Sequence, residues 1–497
     1  MIENPFADYG KIVIGDRFVG RKKEIELIQN RVFGESYGNI AIMGLPRIGK
    51  SSLAWNAIIS YEEELENKNI YAIRINVGEF SEPSSFYQKI IRDVHRKFKA
   101  KNEAWIKDLH VIYEDLGAEN LRISDRNSLI GEYFYVIQKN KSRVIYIFDE
   151  FDAVRNYLGV ADFQFLRELS YNPQFKVCMV TVSRRTLKEI EPSGGTISNF
   201  YQTFTDLYLG MFSNTDLLDY WNTFFNHKIP INDEEKALIY EFTDSHPFLL
   251  DIFNYHLFNN LGDNLKRSIE LTQKDIFLTF LNNYKTIYDL LEEEELGKKL
   301  LQMTIGPVYD ISVTEAEKIE RLGLVQIEDG YYKAFSKNFD VYLQKVHKEI
   351  PIWSLWSETE IKLREIVRIW LVEKFGENWV SKFRKLQNKE TYIADLEAMQ
   401  NREKQSFPET YSKDLLEYTY PGELFDKFMR VEWAWFKNIF GKEANEWKPK
   451  FDLLARIRNP LAHNKENILK DFERNDAMGY CQEIIHKIDA WIIQGNS

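Results

Sequence analysis

The stretch Gly44-Leu-Pro-Arg-Ile-Gly49-Lys50-Ser51 matches the pattern G-x-x-x-x-G-K-[ST] in full. The apolar run Asn39-Ile-Ala-Ile-Met43 precedes it and Ser52-Leu-Ala-Trp-Asn-Ala-Ile-Ile59 follows it, reading as a strand and the opening of a helix. A strand, a glycine-rich turn and a helix N-terminus aim backbone N–H groups and the positive end of a helix dipole at one point. A phosphate fits that point. Gly44, Pro46, Gly49, Lys50, Ser51 and Ser52 therefore form a candidate nucleotide-binding set. Lys50 is placed to reach the β- and γ-phosphates, and the Ser51 hydroxyl to ligate Mg2+. ATP and Mg2+ are the expected cofactors.

The first two hundred residues alternate in the βαβ manner. Apolar runs at Tyr71–Val77, Val144–Phe148, Val177–Val182 and Leu207–Met211 are separated by stretches long enough for helices. That pattern predicts a parallel sheet buried on both faces, an α/β core. The run Val144-Ile-Tyr-Ile-Phe148 closes on Asp149 and Glu150. Downstream of a phosphate-binding loop, the first carboxylate suits the Mg2+ shell and the second can polarise an attacking water. The next strand ends Ser183-Arg184-Arg185, where a cation can sense the γ-phosphate or form a solvated basic turn. Arg184 is preferred as the nearer to the strand.

At 497 residues the chain has room for three or four domains, and 44% hydrophobic residues are ample for packed cores. A net charge of −11 argues against charge-driven adsorption to nucleic acid or an anionic membrane. Two cysteines, Cys178 and Cys481, exclude a disulfide framework. Neither a basic, apolar leader nor a run near the ~20 residues of a membrane span is present, so a cytoplasmic protein without a membrane partner is expected.

Phe18-Val-Gly20-Arg21-Lys-Lys-Glu24 resembles the hydrophobic–Gly-Arg-x-x-Glu signature of the STAND class of signalling ATPases, relatives of AAA+ and archaeal origin-recognition ATPases. The resemblance implies that Gly20 and Arg21 lie against the nucleotide base. Thr243-Asp-Ser-His246-Pro247-Phe-Leu-Leu250 is similar to the Gly-His-Pro motif that opens a lid helix in the same class, with Ser245 where the class has Gly. By the resemblance His246 touches the phosphates; read from the residues alone, it caps a helix. The resemblance covers residues 10–345. It implies an ATPase core over 1–215, a helical lid over 216–290 and a winged helix over 291–347. In the last, a helix over Glu315–Leu324 carries Glu315, Glu317 and Glu320 against Lys318 and Arg321, a poor balance for facing DNA.

Eight of the eleven tryptophans fall after Pro351, and no strand-like alternation survives there. Residues 350–497 therefore read as all-α, with tryptophans as core. Ser357-Glu-Thr-Glu360 reads as a capping box opening a helix that ends at Gly376. Further on, Arg458-Asn459-Pro-Leu-Ala-His463 resembles the R-x₄₋₆-H motif of HEPN domains, small helical domains of RNA-cleaving toxins and abortive-infection proteins. A histidine of near-neutral pKa can move the proton of an RNA 2′-hydroxyl, and a guanidinium offers a fork of donors to charge developing on phosphorus. Asn459 can orient one of them. The resemblance implies metal-independent RNA cleavage by paired domains, hence a homo-oligomer with RNA as substrate. A separate trigger or sensor protein is possible, because no 20–50-residue repeat array is present. The resulting expectation is an ATP-switched ribonuclease effector of anti-phage defence. The alternatives are a signalling scaffold with an inert HEPN domain, and an origin-recognition-like ATPase on DNA.

Overall fold

The computed structural model describes residues 4–99, 104–118, 121–192, 198–226, 229–306, 311–328, 331–349, 352–406, 408–462 and 469–495. Contacts divide the chain into two compact units. The first holds residues 1–289, 317–326 and 334–339; the second holds 290–316, 327–333 and 340–497.

The first unit is built on five strands: β1 (Asn39–Met43), β2 (Ile70–Asn76), β3 (Arg143–Asp149), β4 (Val177–Ser183) and β5 (Phe204–Tyr208). All pair in parallel, in the order β2-β3-β4-β1-β5. Every residue of β1, β3 and β4 is buried, as central strands covered by helices on both faces require. This is the arrangement of a P-loop NTPase core. The register sets Met43 beside both Ser183 and Tyr208, and Asn76 beside Asp149. The loop after β1 and the carboxylate closing β3 therefore emerge at the carboxyl end of the sheet, where open α/β sheets bind ligands. Asn39 locks the centre from inside: its Oδ1 accepts from Met179 N (2.9 Å) and its Nδ2 donates to Thr203 Oγ1 (3.3 Å).

The last strand starts and ends three residues earlier than the apolar run Leu207–Met211 predicts. Leu209 N still donates to Met43 O (2.7 Å), but the next two carbonyls are taken by Arg21. Their diversion ends the ladder. Beyond the sheet the first unit continues in helices at 214–226, 233–243, 247–259 and 265–275. Pro247 takes the first position of the 247–259 helix, where its missing N–H is no loss. Ser245 is not among the positive-φ residues; the positive φ falls on Asp244 before it (φ 43°). The helix expected over Glu315–Leu324 spans Val313–Arg321, and a two-stranded sheet follows, β6 (Val325–Glu328) with β7 (Tyr331–Ala334).

The second unit is helical from 352 onwards. Its longest helices are Ile352–Phe375, Glu390–Ser406, Ala444–Ala462 and Asp471–Gly495. Trp356, Trp370 and Trp447 are fully buried, and Trp356 Nε1 donates to Leu454 O (3.0 Å). The capping box expected at Ser357 is not a helix start. Ile352 and Trp356 are core residues, so the helix begins already at Ile352 and runs through Ser357, while Thr359 Oγ1 bonds back to Leu355 O (2.8 Å). The same helix does end at Gly376, in the left-handed conformation (φ 77°). Cys178 and Cys481 are free and buried. Among the described residues no helix is long and apolar enough to cross a membrane.

The core of the first unit centres on Phe86, fully buried among the rings of Phe80, Tyr87, Phe148 and Tyr157. Phe86→Ala is expected to destabilise the first unit by about 3–5 kcal/mol, seen as a lowered urea midpoint.

Candidate functional site

The loop after β1 is closed by its own geometry. Gly44 has φ 154°, and a Cβ there would lie 2.4 Å from Leu209 O. Gly49 (φ 98°) is the N-cap of the Lys50–Ala57 helix. Lys50 Nζ donates to Gly44 O (2.9 Å) and Leu45 O (2.7 Å), so the ammonium folds over the loop mouth. Burial pushes the Lys50 ammonium down to about 8, opposed by the charges of Asp152 and Asp149.

Opposite the loop, Ser51 Oγ donates to Asp149 Oδ1 (2.9 Å). Both are oxygen donors, and a hydroxyl beside a nearly buried carboxylate is a set that suits Mg2+. Glu150 is exposed, adopts φ 58° and starts the 3₁₀ turn Phe151–Asn156. Gly78 makes room for its carboxylate, since a Cβ there would lie 2.4 Å from Glu150 Oε2. Pro46, Lys50, Ser51, Asp149, Glu150 and Arg184 line one cleft of about 690 Å³, a volume suited to a nucleotide.

The remaining expected residues lie elsewhere. Gly49, Ser52, Arg21 and Pro247 border a separate cavity of about 60 Å³. Ser52 Oγ accepts from Val13 N (3.0 Å), tying the N-terminal segment to the helix. Arg21 acts as a clasp, with Nη2 on Gly210 O (2.6 Å), Nη1 on Met211 O (3.2 Å) and its guanidinium 4.8 Å above the Phe212 ring. Gly20 (φ 72°) lets Asp216 approach, and Asp216 Oδ1 accepts from Arg21 N (2.7 Å). His246 precedes the 247–259 helix, but its side chain makes no capping bond. Its ring is buried, with Nδ1 unpartnered, and burial pushes it down to about 3, so it is neutral.

In the second unit, Arg458 lies on the Ala444–Ala462 helix with its guanidinium 3.9 Å over the Tyr420 ring. His463 and the Asn459 side chain lie outside the described residues.

Two residues of the first site went unread in the sequence. Asp152 accepts from Arg184 N (2.6 Å) and Arg185 N (3.0 Å), pinning the end of β4 to the turn after β3. Arg74, on β2, donates through Nε to Asp149 Oδ2 (3.1 Å) and pairs with it through Nη2. A lone charge in the run Ile70–Val77, at Arg74, was the available signal, because a charge half-buried in a sheet must find a carboxylate.

Among solved structures, a Walker-type ATPase of Pyrococcus abyssi aligns at 14% identity and a TM-score of 0.44, over 68% of this chain and 99% of that one. The Aeropyrum pernix ORC1 protein in complex with DNA aligns at 13% identity and 0.36, over 67% and 94%. A RuvB of Thermotoga maritima aligns at 14% and 0.35, over 68% and 97%. No family model and no curated protein matches the chain. Likenesses at these scores carry no argument about activity, which rests on the cleft itself.

The lowered Lys50 pKa has a testable sign. Below pH 8 the ammonium is charged in both folded and unfolded chains, so its burial opposes folding in full. The opposition fades as the pH rises from 8 towards the unfolded value of 10.5. Lys50→Met is therefore expected to raise the melting temperature at pH 7 and to lose that advantage by pH 10, as read by calorimetry.

Proposed function

We propose that this protein is a nucleotide-switched ATPase whose site is the cleft around Lys50, Ser51 and Asp149. The observation that carries the reading is the meeting of Ser51 Oγ with Asp149 Oδ1 (2.9 Å) beside a lysine folded over a glycine loop. A triphosphate laid on the loop gives the buried Lys50 ammonium better partners than two carbonyls and offsets the burial that lowers its pKa. Ser51 and Asp149 would hold Mg2+, which supplies charge neutralisation to the β- and γ-phosphates. Glu150 receives the proton of a water whose oxygen attacks the γ-phosphorus, while the bridging oxygen leaves with ADP. Arg184 and Arg185, whose backbone N–H groups donate to Asp152, line the same cleft and would stabilise charge growing on the γ-phosphate. Lys50→Ala is expected to weaken binding of an ATP analogue at least a hundredfold by calorimetry. Glu150→Gln is expected to keep binding and slow hydrolysis by ~10²–10⁴-fold. An analogue held as tightly by Lys50→Ala as by the parent would remove the assignment.

The finer reading gives the second unit metal-independent ribonuclease activity, used in anti-phage defence, with two copies brought together in the ATP-bound assembly. Its support is the Arg458–Asn459–His463 motif on an all-α scaffold, together with the placing of Arg458. That guanidinium stacks on Tyr420 near Glu360 and Glu423, whose carboxyls burial pushes above the usual range. Stacking orients the planar fork. The reaction transfers phosphorus from the 5′-oxygen to the neighbouring 2′-oxygen: the 2′-hydroxyl yields its proton to His463, and the leaving oxygen takes one up. The alternative reading has DNA as partner. On the Val313–Arg321 helix, Lys318 pairs with Glu189 (2.6 Å) and Arg321 with Glu317 (2.5 Å), so both cations are engaged. His463→Ala is expected to remove RNA cleavage, with products ending in 2′,3′-cyclic phosphate, while ATP-analogue binding stays at the parental level. Parental cleavage by that variant would leave the scaffold reading.

A further inference from the structure

The Asp149 carboxylate has no bare oxygen. Oδ1 accepts from Ser51 Oγ (2.9 Å) and from Glu150 N (3.1 Å). Oδ2 accepts from Arg74 Nε (3.1 Å) and also from its Nη2. A carboxylate has about four acceptor positions, and here all four are used. The side chain of Asp149 is 4% exposed, so water does little to screen these contacts. A divalent cation drawing on Asp149, directly or through a bound water, must take a position from one of the donors. Glu150 N is fixed by the chain. The Ser51 hydroxyl can turn, handing its proton elsewhere and its lone pair to the cation. Arg74 can do neither, because a guanidinium has no lone pair to offer and keeps its protons at any pH the protein meets. It also repels the cation.

We propose that Arg74 competes with the divalent cation for Asp149, and so sets how tightly the metal is held beside a nucleotide. The proposal rests on the nucleotide reading of the cleft. β2 is an edge strand of the sheet, and the Arg74 side chain is 27% exposed, which gives it a path off the carboxylate towards solvent. Arg74 is a positioning residue: while paired, it keeps a buried carboxylate neutralised and aimed at Ser51. Its release is the step that opens Asp149 to metal. A charge-assisted pair of this kind corresponds to about a tenfold change in an equilibrium constant.

The test is a spin-probe titration of Mn2+ into the full-length protein with a non-hydrolysable ATP analogue, free Mn2+ being read from its six-line signal. Analogue binding in EDTA is measured alongside by calorimetry. Arg74→Gln is expected to bind Mn2+ about tenfold more tightly than the parent, with metal-free analogue binding retained. Arg74→Lys, which keeps the charge and loses the two-pronged contact, is expected to fall between them, and it carries the comparison if Arg74→Gln does not fold. Mn2+ affinity in the variants equal to or below the parent's, with analogue still bound, would overturn the competition. Analogue binding by none of the proteins would remove the nucleotide reading and the proposal together.

Discussion

Asp149 is the point on which the first site depends. It is a buried anion at the end of a buried strand, and such a group is tolerable only when fully partnered. Its partners come from three separate places: Ser51 from the helix after the loop, Glu150 N from the following turn, and Arg74 from the neighbouring strand. The carboxylate thus welds the phosphate loop to the far side of the sheet across the intervening β4. Moving any partner changes the charge balance at the place where a cation and a phosphate would meet.

The parts of this site that were legible in the sequence are those whose chemistry is local in the chain. Gly44 and Gly49 declare themselves because the turn needs backbone angles that side chains resist, and Asp149 because it closes an apolar run. Arg74 and Asp152 act across the sheet, and their meaning exists only once the strand order places β2 beside β3 and the end of β4 beside the following turn. Sequence spacing holds no record of that order. The misplacement of β5 has the same origin. The run Leu207–Met211 is apolar enough for a strand, but Arg21, nearly two hundred residues earlier, claims the carbonyls of Gly210 and Met211. Ser357 failed as a helix start because local capping chemistry was outweighed by burial of Ile352 and Trp356.

Arg21 and His246 show how a motif can be conspicuous for structural reasons. The Arg21 guanidinium joins the start of the 22–33 helix to the chain leaving β5, and Gly20 exists in part to let Asp216 reach the same backbone. His246 is held neutral and dry next to the helix that opens at Pro247.

The charge distribution sharpens the contrast between chain and cleft. With a net charge of −11, the molecule as a whole repels a polyphosphate, and at physiological salt that repulsion decays within about 8 Å. Inside the cleft the balance is reversed: Arg47, Lys50, Arg155, Arg184 and Arg185 face Asp149, Glu150 and Asp152. Two of those carboxylates already serve cations or backbone donors of their own, Asp149 with Arg74 and Asp152 with the ends of β4. What remains on offer is positive. An anion that enters is attracted by charges that line the cleft itself, where solvent screens least. An acidic chain can thus still present a cleft in which a compact, highly charged phosphate is favoured.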